Sequence, residues 1–577
     1  KNFCALLFLL SIGAWSLVAC FPNPLPQCLQ DKDCSSLELC KQGFCKLETV
    51  KISDPPDGGT PENAPTTEKP IRDQGSECRL KAELCNGKDD NCNGKTDEGC
   101  PQEVALGFGG AGFDSGMSID KDSKGNTFIA GTFGGGLGSK PENKITIGNN
   151  TFTSKGNYDA FLAKLDPKGK VLWAVSGGGS EDDRAEHMAV DKQGNVYIAG
   201  KSSRGPITFS GKTFDPISTP YREIFYVAKY SNSGQLQWLK RAGSIASPSL
   251  VKVKGIAVSQ KSEVYVLGDY GSYQHAGQPV KSYTVKIGPY TARSQGSQDV
   301  FIVKLDSSGS YMWLKSFGGR GIDTANGIAV GPKGHVYVKG AFYEKIIFGQ
   351  KSYKTKKAAH TAMFIAQLTE KGIVNWATTV EGYNWYNQWG NEEGNITVTP
   401  KGQIVISGGL LRSGVKDPKG IVYFGKFPLA SKAASTTHSN IYIAKLSSQG
   451  QFTWATSVEG IGHSATRMVK ANAKGEVFIT GFFRGKVSFG KHTLQAKGSS
   501  PSFAGNDDIF VAKLSPQNVW EWALRAGAEN HEQGNALVLN QDGVYITGNY
   551  KGLPGIGSKT LKTFGQRDIF VWKLPKQ

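Results

Sequence analysis

The sequence predicts an all-β fold, and three features of the 577-residue chain support this prediction. Glycine occupies 73 of the 577 positions, a larger share than its usual ~7%. Proline occupies only 25 positions, which excludes a collagen-like or Pro/Gly-rich disordered chain. Aromatic residues make up 10% of the chain, which favours a packed core. Short apolar runs recur at a nearly fixed interval without helical periodicity. Many short strands joined by tight turns are therefore expected.

The recurring runs form an internal repeat that extends through most of the chain. One copy reads GGRGIDTANGIAVGPKGHVYVKG, continues through a variable stretch, and ends with DVFIVKLDSSGSYMWLKSFGG. The glycine that ends the VYVKG-type strand recurs at intervals of 67 to 73 residues, at Gly131, Gly200, Gly268, Gly340, Gly408, Gly481 and Gly548. A lysine or glutamine marks the next strand, at Lys164, Lys229, Lys304, Gln367, Lys445, Lys513 and Lys573. A tryptophan marks the strand after that, at Trp173, Trp238, Trp313, Trp376, Trp454 and Trp522.

Four short strands per copy favour a β-propeller over a helical solenoid. The seventh copy stops at Phe570–Leu574 without its fourth strand, and Glu103–Gly110, ahead of the first copy, matches the missing strand. The N-terminal piece is therefore predicted to complete the last blade, which would leave no exposed sheet edge. The full prediction for residues 101–577 is a seven-bladed β-propeller with this velcro ring closure, preceded by small disulfide-rich modules.

Charge is distributed unevenly along the chain. Residues 1–100 carry 11 basic and 15 acidic side chains, whereas the remainder carries 56 basic and 34 acidic ones. A basic body favours a polyanionic partner, such as nucleic acid, an anionic polysaccharide or a charged membrane surface. The alternative is a lysine-rich soluble surface without such a partner.

The N-terminus predicts export and a lipid anchor. Lys1 precedes an apolar run from Phe3 to Cys20, which has the length of a secretory signal rather than of a membrane span. Its end, LVAC, resembles the bacterial lipobox, in which a signal peptidase cuts before the cysteine and the thiol carries a diacylglycerol. Residues 1–19 are therefore predicted to be removed, and acyl chains on Cys20 to anchor the protein. Phe21 is not the aspartate of an inner-membrane retention signal, which favours the outer membrane. The alternative is an ordinary signal peptide with a chance cysteine.

All ten cysteines lie within the first 100 residues. Cysteines confined to a short leader are typical of disulfide-stapled modules in an oxidising compartment. Residues 20–49 form one such predicted module, lipid-anchored and without the C-x-x-C pair of a zinc knuckle, and residues 50–77 form a predicted disordered linker. The disulfide connectivity stays open. The predicted disulfide cysteines are Cys28, Cys34, Cys40, Cys45, Cys78, Cys85, Cys92 and Cys100.

Residues 78–100 form a second Cys-rich module with a candidate Ca²⁺ loop. The run DDNCNGKTDE, residues 89–98, places oxygen-bearing side chains at alternate positions ahead of a glycine. It departs from the EF-hand pattern because Cys100 stands at the twelfth position. The segment resembles the CNGxDxNCNGxxDE metal-binding motif of bacterial surface proteins. A disulfide knot whose Asx residues cap turns is the alternative. The predicted metal residues are Asp89, Asn91, Asn93, Lys95, Asp97 and Glu98.

The repeat over residues 101–577 resembles the bacterial SBBP β-propeller repeat. This resemblance implies an extracytoplasmic seven-bladed propeller, a group generally without an assigned function. The sequence holds no HExxH, GxSxG or P-loop motif, and its eight histidines occupy no common repeat position. The protein is therefore predicted not to be an enzyme, with a glycan-cleaving carboxylate pair as the remaining alternative.

Most recurring residues are predicted to be structural. The tryptophans are expected to pack between neighbouring blades, and an Asp or Asn five residues before the recurring lysine is expected to fix a turn. The links from second to third strand are long, basic and unlike one another, which predicts a binding face of variable loops. These links are residues 201–222, 269–298, 341–361, 409–439 and 482–506.

Two further groups are candidate ligand sites. Residues in the links from fourth to first strand would form a polar rim that could hold a cation or a sugar, unless they are solvated turn residues. Aromatic residues of the fifth unit have the composition of a sugar-binding platform, unless they pack between blades. The rim residues are Asp114, Asp183, Asp323 and His531. The platform residues are Tyr383, Trp385, Tyr386 and Trp389.

Together these features predict an outer-membrane lipoprotein whose propeller binds envelope or extracellular glycan. The alternatives are a protein-interaction scaffold in an envelope complex and a glycan-cleaving enzyme. The expected cofactors are one Ca²⁺ at residues 89–98 and the lipid on Cys20. The expected partners are the membrane and an anionic glycan or an envelope protein, and not nucleic acid. The sequence leaves open whether the propeller faces the cell surface or the periplasm.

Overall fold

The computed structural model describes most of the chain beyond residue 102. Two compact units divide the chain, residues 1–76 and residues 77–577. In the first, Glu38–Lys41 and Phe44–Leu47 pair as an antiparallel hairpin, with Cys40 opposite Cys45. The described ranges are 38–41, 44–47, 103–135, 143–202, 204–216, 224–244, 250–272, 282–355, 361–381, 394–411, 421–431, 438–497, 507–552 and 554–576.

The predicted all-β class is confirmed for the described residues, which form strands and no helix. Seven antiparallel four-stranded meanders, here called units 1 to 7, make up the body. The first strands are Ser115–Lys121, His187–Val190, Leu250–Val258, Thr324–Val330, Ile396–Val398, Ser464–Ala471 and Gln533–Asn540. The second strands are Thr127–Gly134, Val196–Ser202, Val264–Gly271, Val336–Tyr343, Ile404–Leu411, Val477–Phe483 and Gly543–Tyr550. The third strands are Tyr158–Leu165, Ile224–Tyr230, Gln298–Leu305, Thr361–Leu368, Ser439–Leu446, Asp508–Leu514 and Asp568–Pro575. The fourth strands are Val171–Gly178, Leu236–Ser244, Tyr311–Phe317, Val374–Glu381, Phe452–Ser457, Trp520–Ala526 and, in unit 7, Val104–Gly110.

Unit 7 takes its fourth strand from the other end of the body. Val104–Gly110 pairs antiparallel with Asp568–Pro575, with Leu106 opposite Val571. A strand with unpaired N–H and C=O groups is a template for aggregation, and this pairing covers the edge that the last strand of the chain would otherwise present.

Each link from second to third strand contains a β-hairpin. The prediction that these links are unlike one another is therefore wrong for their described parts. The turn of every hairpin includes a glycine with positive φ, a conformation that suits glycine and the tight turns of hairpins. In six units the hairpin also pairs with the end of the preceding unit's fourth strand. The hairpin strands are Lys144–Ile147 and Asn150–Thr153, Ile207–Phe209 and Lys212–Phe214, Thr284–Ile287 and Tyr290–Arg293, Lys345–Phe348 and Lys351–Lys354, Ile421–Phe424 and Phe427–Ala430, Lys486–Phe489 and His492–Gln495, and Gly555–Ile556 and Lys559–Thr560; Glu459–Gly460 extends the fourth strand of unit 5.

The hydrophobic core is divided among seven clusters, each lying between two consecutive units. Between units 2 and 3, for example, Phe225 packs on Phe301 with ring centroids 5.7 Å apart. One cluster joins unit 7 to unit 1 and includes Phe108, Ile129 and Ala536. Burying one large apolar side chain contributes roughly 1.5–3 kcal/mol, so these clusters stabilise the packing of each sheet against the next.

Polar contacts tie each unit to the next. Trp313 Nε1 and Lys304 Nζ of unit 3 both donate to the carbonyl oxygen of Glu370 in unit 4, each at 3.2 Å. Trp238 Nε1 and Lys229 Nζ converge on Ser307 O in the same way, at 3.2 and 2.9 Å. These contacts confirm the prediction that the tryptophans lie between neighbouring units. They also show why a lysine recurs in the third strand.

The hairpin turns provide a matched test of glycine in the φ > 0 region. Gly288 and Gly349 both have φ of +60°, but a Cβ on Gly288 would overlap the Tyr311 ring, whereas a Cβ on Gly349 would meet nothing within 4 Å. Gly349→Ala is expected to lower the free energy of unfolding by about 1–2 kcal/mol, the cost of the backbone conformation alone. Gly288→Ala is expected to cost more, because the ring must also move. Chemical denaturation of both variants measures the difference, and equal losses would contradict the predicted contact.

Candidate functional site

A cavity of about 780 Å³ lies where the first strands of all seven units meet. Its volume is within the usual range of small-molecule sites. Every unit contributes at least one lining side chain, so the cavity depends on the arrangement of the units and not on one loop. We call it the central cavity.

An irregularity in the first strands aims side chains into the central cavity. In five units the register of the first strand skips one residue, as between Ala325 and Gly327. This is a β-bulge, in which an extra residue is inserted and its side chain is redirected. Each skipped residue lines the cavity, and so do Glu186, at the corresponding place in unit 2, and Asn395 of unit 5, which follows the corresponding Gly394 by one residue. These seven residues, which we call the bulge ring, are Met117, Glu186, Lys254, Asn326, Asn395, Arg467 and Asn535.

The lining of the cavity is predominantly basic. Six basic side chains face two carboxyl groups, those of Asp114 and Glu186. Four of the six basic residues belong to units 2 and 3, so positive charge is concentrated on one part of the wall. The basic lining residues are Arg184, Lys201, Lys252, Lys254, Arg467 and Arg567.

Amide side chains from units 4, 5 and 7 line the rest of the wall. Asn326 and Asn549 are 8% and 3% exposed, and the Nδ2 atom of each is buried without a hydrogen-bond acceptor among the described residues. A buried donor without an acceptor costs about 1–3 kcal/mol. A ligand oxygen at either position would recover that energy.

Aromatic rings hold two of the guanidinium groups. The Arg184 guanidinium lies 4.2 Å from the ring centre of Tyr158, and that of Arg567 lies 5.5 Å from that of Phe113. Such cation–π contacts fix a planar cation at little cost to its ability to donate hydrogen bonds. Burial lowers the pKa of Arg567. Its charge is retained at neutral pH, because an arginine pKa lies far above 7.

Two adjacent titratable groups of unit 2 respond to this environment. Burial, followed by the charge of Lys254, lowers the pKa of His187 to about 4, so its imidazole is neutral at pH 7. Burial raises the pKa of the neighbouring Glu186, and the positive charges of Arg184 and Lys254 oppose that shift. The cavity therefore retains its positive potential at neutral pH.

The predicted polar rim is buried rather than solvated. Asp114, Asp183 and Asp323 are at most 1% exposed. Each accepts a hydrogen bond from the backbone amide four residues earlier, at 2.7, 2.7 and 2.6 Å. Of the three, Asp114 also lines the central cavity. These carboxyl groups therefore anchor the link that follows each fourth strand.

The assignment of His531 to this rim was wrong by one residue. In unit 7 the amide of Ala528 donates to Glu532, which makes Glu532 the counterpart of the three aspartates. His531 instead places its Nδ1 atom 2.8 Å from Oδ2 of Asp507. Sequence spacing alone did not reveal the shift, because His and Glu stand next to each other and both are polar.

Other predicted site residues lie outside the described residues. These are the platform residues Tyr383, Trp385, Tyr386 and Trp389, the metal-binding run 89–98, Cys20, and the predicted disulfide cysteines other than Cys40 and Cys45. Within the described ranges, no group of three or more His, Cys, Asp or Glu side chains is placed to hold a metal ion. The same ranges contain no helix long and apolar enough to cross a membrane.

The bulge ring was missed at the sequence level, although the sequence carries a signal for it. The skipped position reads Met, Glu, Lys, Asn, Arg and Asn in units 1 to 4, 6 and 7, while most of the residues beside it are small or apolar. Variation at one position of an otherwise regular repeat is typical of a recognition position.

No protein-family model matches the chain. An uncharacterized WD repeat-containing protein of Acanthamoeba polyphaga mimivirus is 20% identical over 515 residues, which covers 78% of this chain and 36% of that protein. The chain thus spans about a third of the length of this relative.

Solved structures show only distant similarity. A protein of unknown function from Bacteroides caccae is 10% identical, with a TM-score of 0.27, over 56% of this chain and 78% of that one. The WD40 domain of SCAP from fission yeast is 10% identical, with a TM-score of 0.26, over 81% of this chain and 98% of that one. At these TM-scores, the description of the fold rests on the strand pairing itself.

Proposed function

We propose that the seven units are the blades of a β-propeller whose central cavity binds an acidic glycan. The closed succession of core clusters, in which unit 7 packs on unit 1, supports a seven-bladed ring. The pairing of Val104–Gly110 with the last strand supports closure by strand exchange. The resemblance of the repeat to SBBP propellers agrees with this architecture.

The observation that carries the ligand class is the division of the cavity wall into a basic part and an amide part. Arg184, Lys252 and Lys254 offer hydrogen bonds and charge to a carboxylate or sulfate group. Asn326 and Asn549 offer unpaired donors to uncharged oxygens. A sugar acid carries both kinds of group on one ring. The cavity volume suits one or a few sugar units.

The second candidate is a protein-interaction scaffold in an envelope complex. The relative described as a WD repeat-containing protein favours this reading, since it indicates a shared repeat architecture without an assigned chemistry. A basic ring with broad faces is suited to acidic protein surfaces as well as to glycans. Cavity variants discriminate the two candidates, because a protein bound to an outer face does not reach the bulge ring.

We further propose that the protein is an outer-membrane lipoprotein without enzymatic activity. The lipobox-like LVAC sequence supports lipidation of Cys20, and the confinement of cysteines to the leader supports an oxidising compartment. A Ca²⁺ ion at residues 89–98 would stiffen the segment next to the propeller. The metal motif and the alternation of its oxygen-bearing residues support this site.

Ring closure predicts that Val104–Gly110 is required for stability. A chain that starts at residue 113 would expose the edge of Asp568–Pro575, and we expect it to aggregate or to unfold at a lower temperature. A chain that starts at residue 101 keeps the strand and serves as the control. Size-exclusion chromatography and thermal unfolding provide the measurements. Equal unfolding temperatures for the two chains would refute closure by this strand.

Lipidation predicts that Cys20→Ser releases the protein from the membrane. Cys4→Ser changes a cysteine of the same apolar run and is the matched control, since residue 4 would be removed with the signal. Membrane fractionation and the mass of the N-terminal peptide provide the measurements. Retention of the Cys20→Ser protein in the membrane fraction would refute the anchor.

Glycan binding predicts losses on removal of bulge-ring cations. Lys254→Met and Arg467→Met are each expected to weaken binding of an oligouronate by about tenfold, because each removes a charged hydrogen-bond donor. Lys351→Met removes the same charge from an exposed hairpin and should leave the affinity unchanged. Isothermal titration calorimetry measures these affinities, with a neutral dextran as the uncharged probe.

Three outcomes bear on the candidates. Equal affinity for dextran, or no loss in either cavity variant, would contradict an acidic-glycan site in the cavity. Oligouronate binding lost only in Trp385→Ala/Trp389→Ala would move the site to the predicted aromatic platform. Unchanged binding of an envelope protein by all variants, with no glycan binding, would leave the scaffold.

A further inference from the structure

Four units contain two buried carboxyl groups side by side at the end of the fourth strand. One comes from the third strand and the other from the link to the next unit. No basic residue recurs beside them in the repeat. We call them the carboxyl pairs; they are Asp159 with Asp183, Asp299 with Asp323, Asp508 with Glu532, and Asp568 with Asp114.

Two consecutive residues at the end of the fourth strand bring the members of each pair together. In unit 3, a Cβ on Gly318 would overlap the carboxyl group of Asp299, and the amide of Gly319 donates to Oδ2 of Asp323 at 2.6 Å. The Gly-Gly sequence therefore makes room for one carboxyl group and binds the other. The same arrangement occurs at Gly109 and Gly110, at Gly178 and Gly179, and at Gly527 and Ala528.

Unit 6 shows how close the two groups come. A Cβ on Gly527 would lie 3.1 Å from Oδ1 of Asp508 and 3.1 Å from Oε2 of Glu532. Both carboxyl groups thus border the same point. In this unit Asp508 also forms an ion pair with Arg525, which supplies a positive charge.

The pair in unit 3 has no such counter-ion. Asp299 and Asp323 are both 0% exposed, and neither forms an ion pair with a described residue. Oδ2 of Asp299 accepts from the amide of Gln295 at 3.0 Å. The Oδ1 atoms of both aspartates are buried, and no described residue places a donor in good hydrogen-bond geometry with either of them. Charging both of two adjacent buried carboxyl groups is costly, and a proton held by one of them would remove most of that cost.

We propose that Asp299 and Asp323 share one proton at neutral pH through an O–H···O contact, and that this makes the junction between units 3 and 4 sensitive to pH. The pair spans the junction, because Asp299 lies in the third strand of unit 3 and Asp323 precedes the first strand of unit 4. The amide of Asp323 also donates to the carbonyl of Gln298 at 2.8 Å. Ionisation of both groups would therefore introduce charge repulsion next to the hydrogen bond that joins the two units.

The groups around the pair set the direction of the pH effect. They are the backbone amides of Gln295, Gly296, Gly319 and Tyr343, together with the Tyr270 side chain, whose hydroxyl pairs with Ser316 Oγ at 2.8 Å. The nearest basic residue along the chain, Arg320, is exposed. The amides favour ionisation, but burial outweighs them.

Burial raises the pKa of Asp299 from its ordinary value of 3.8 to about 7, and burial together with the Asp299 charge raises the pKa of Asp323 well above its ordinary value. A folded state that holds a proton the unfolded chain releases is stabilised below the unfolded pKa. This contribution is lost as the pH rises through the folded pKa. The stability that the pair contributes at low pH therefore falls as the pH rises from about 4 to about 7, and it is absent above about pH 7.

The test is Asp323→Asn in the full chain, with thermal unfolding followed between about pH 5 and 9 in EDTA. An asparagine can donate its Nδ2–H to Asp299 at every pH, so it replaces the shared proton. The wild type is expected to lose stability between about pH 5 and 7, and the variant is expected to lose less over that range and to unfold at the higher temperature at pH 8.5. Asp299→Asn is the second variant, in case the first does not fold. Asp306→Asn changes a partly exposed turn carboxylate of the same unit; it is the control and should retain the wild-type loss of stability between about pH 5 and 7.

Infrared spectroscopy provides an independent readout. The wild type should show a protonated-carboxyl band at pH 7 that is weaker in both pair variants and unchanged in Asp306→Asn. Identical pH dependence of unfolding in the wild type and both pair variants would overturn the proposal. A rise in wild-type unfolding temperature with added Ca²⁺ that is lost in Asp323→Asn would also overturn it, since the pair would then be a cation site.

Discussion

At five of the seven junctions between units, the described residues depend on one backbone carbonyl group in the turn between third and fourth strands. In unit 4 this is the carbonyl of Glu370, which receives Lys304 and Trp313 from unit 3. A carbonyl oxygen has two lone pairs and can satisfy both donors at once. Because the acceptor belongs to the next sheet, two partly buried donors are satisfied only when that sheet is correctly placed. At the joint between the chain ends, Lys573 makes the same kind of contact with Pro167.

The residues that hold neighbouring units together are therefore different from the residues that line the central cavity. The lysine and tryptophan contacts lie in the third and fourth strands, whereas the bulge ring lies in the first strands. A bulge-ring residue such as Asn326 can therefore change without disturbing the contacts between sheets. The repeat accordingly keeps its lysines and tryptophans nearly constant while its cavity-lining position carries cations, amides, a carboxyl group and a thioether.

The carboxyl pairs are distinct from both the lysine and tryptophan contacts and the bulge ring. They lie at the junctions between units, where the glycine at the end of the fourth strand leaves room for a carboxyl group that a Cβ would overlap. The proposed proton of the Asp299 and Asp323 pair would replace the counter-ion that Arg525 supplies to Asp508. The repeated units would thus offset the cost of burying two carboxyl groups in two ways, with a shared proton in unit 3 and with an arginine side chain in unit 6.

Local sequence by itself determined the four long strands of each copy and the match between Glu103–Gly110 and the missing last strand, because strand periodicity and repeated glycines and tryptophans are local signals. It did not reveal the hairpin in each link from second to third strand. The tertiary structure decided the rest. The bulge ring depends on the register between two strands, which a residue count cannot give. The identity of Glu532 rather than His531 depends on which side chain reaches the amide of Ala528. The pairing of Asp299 with Asp323, and the raised pKa values that follow, depend on burial, which exists only after the sheets have packed together.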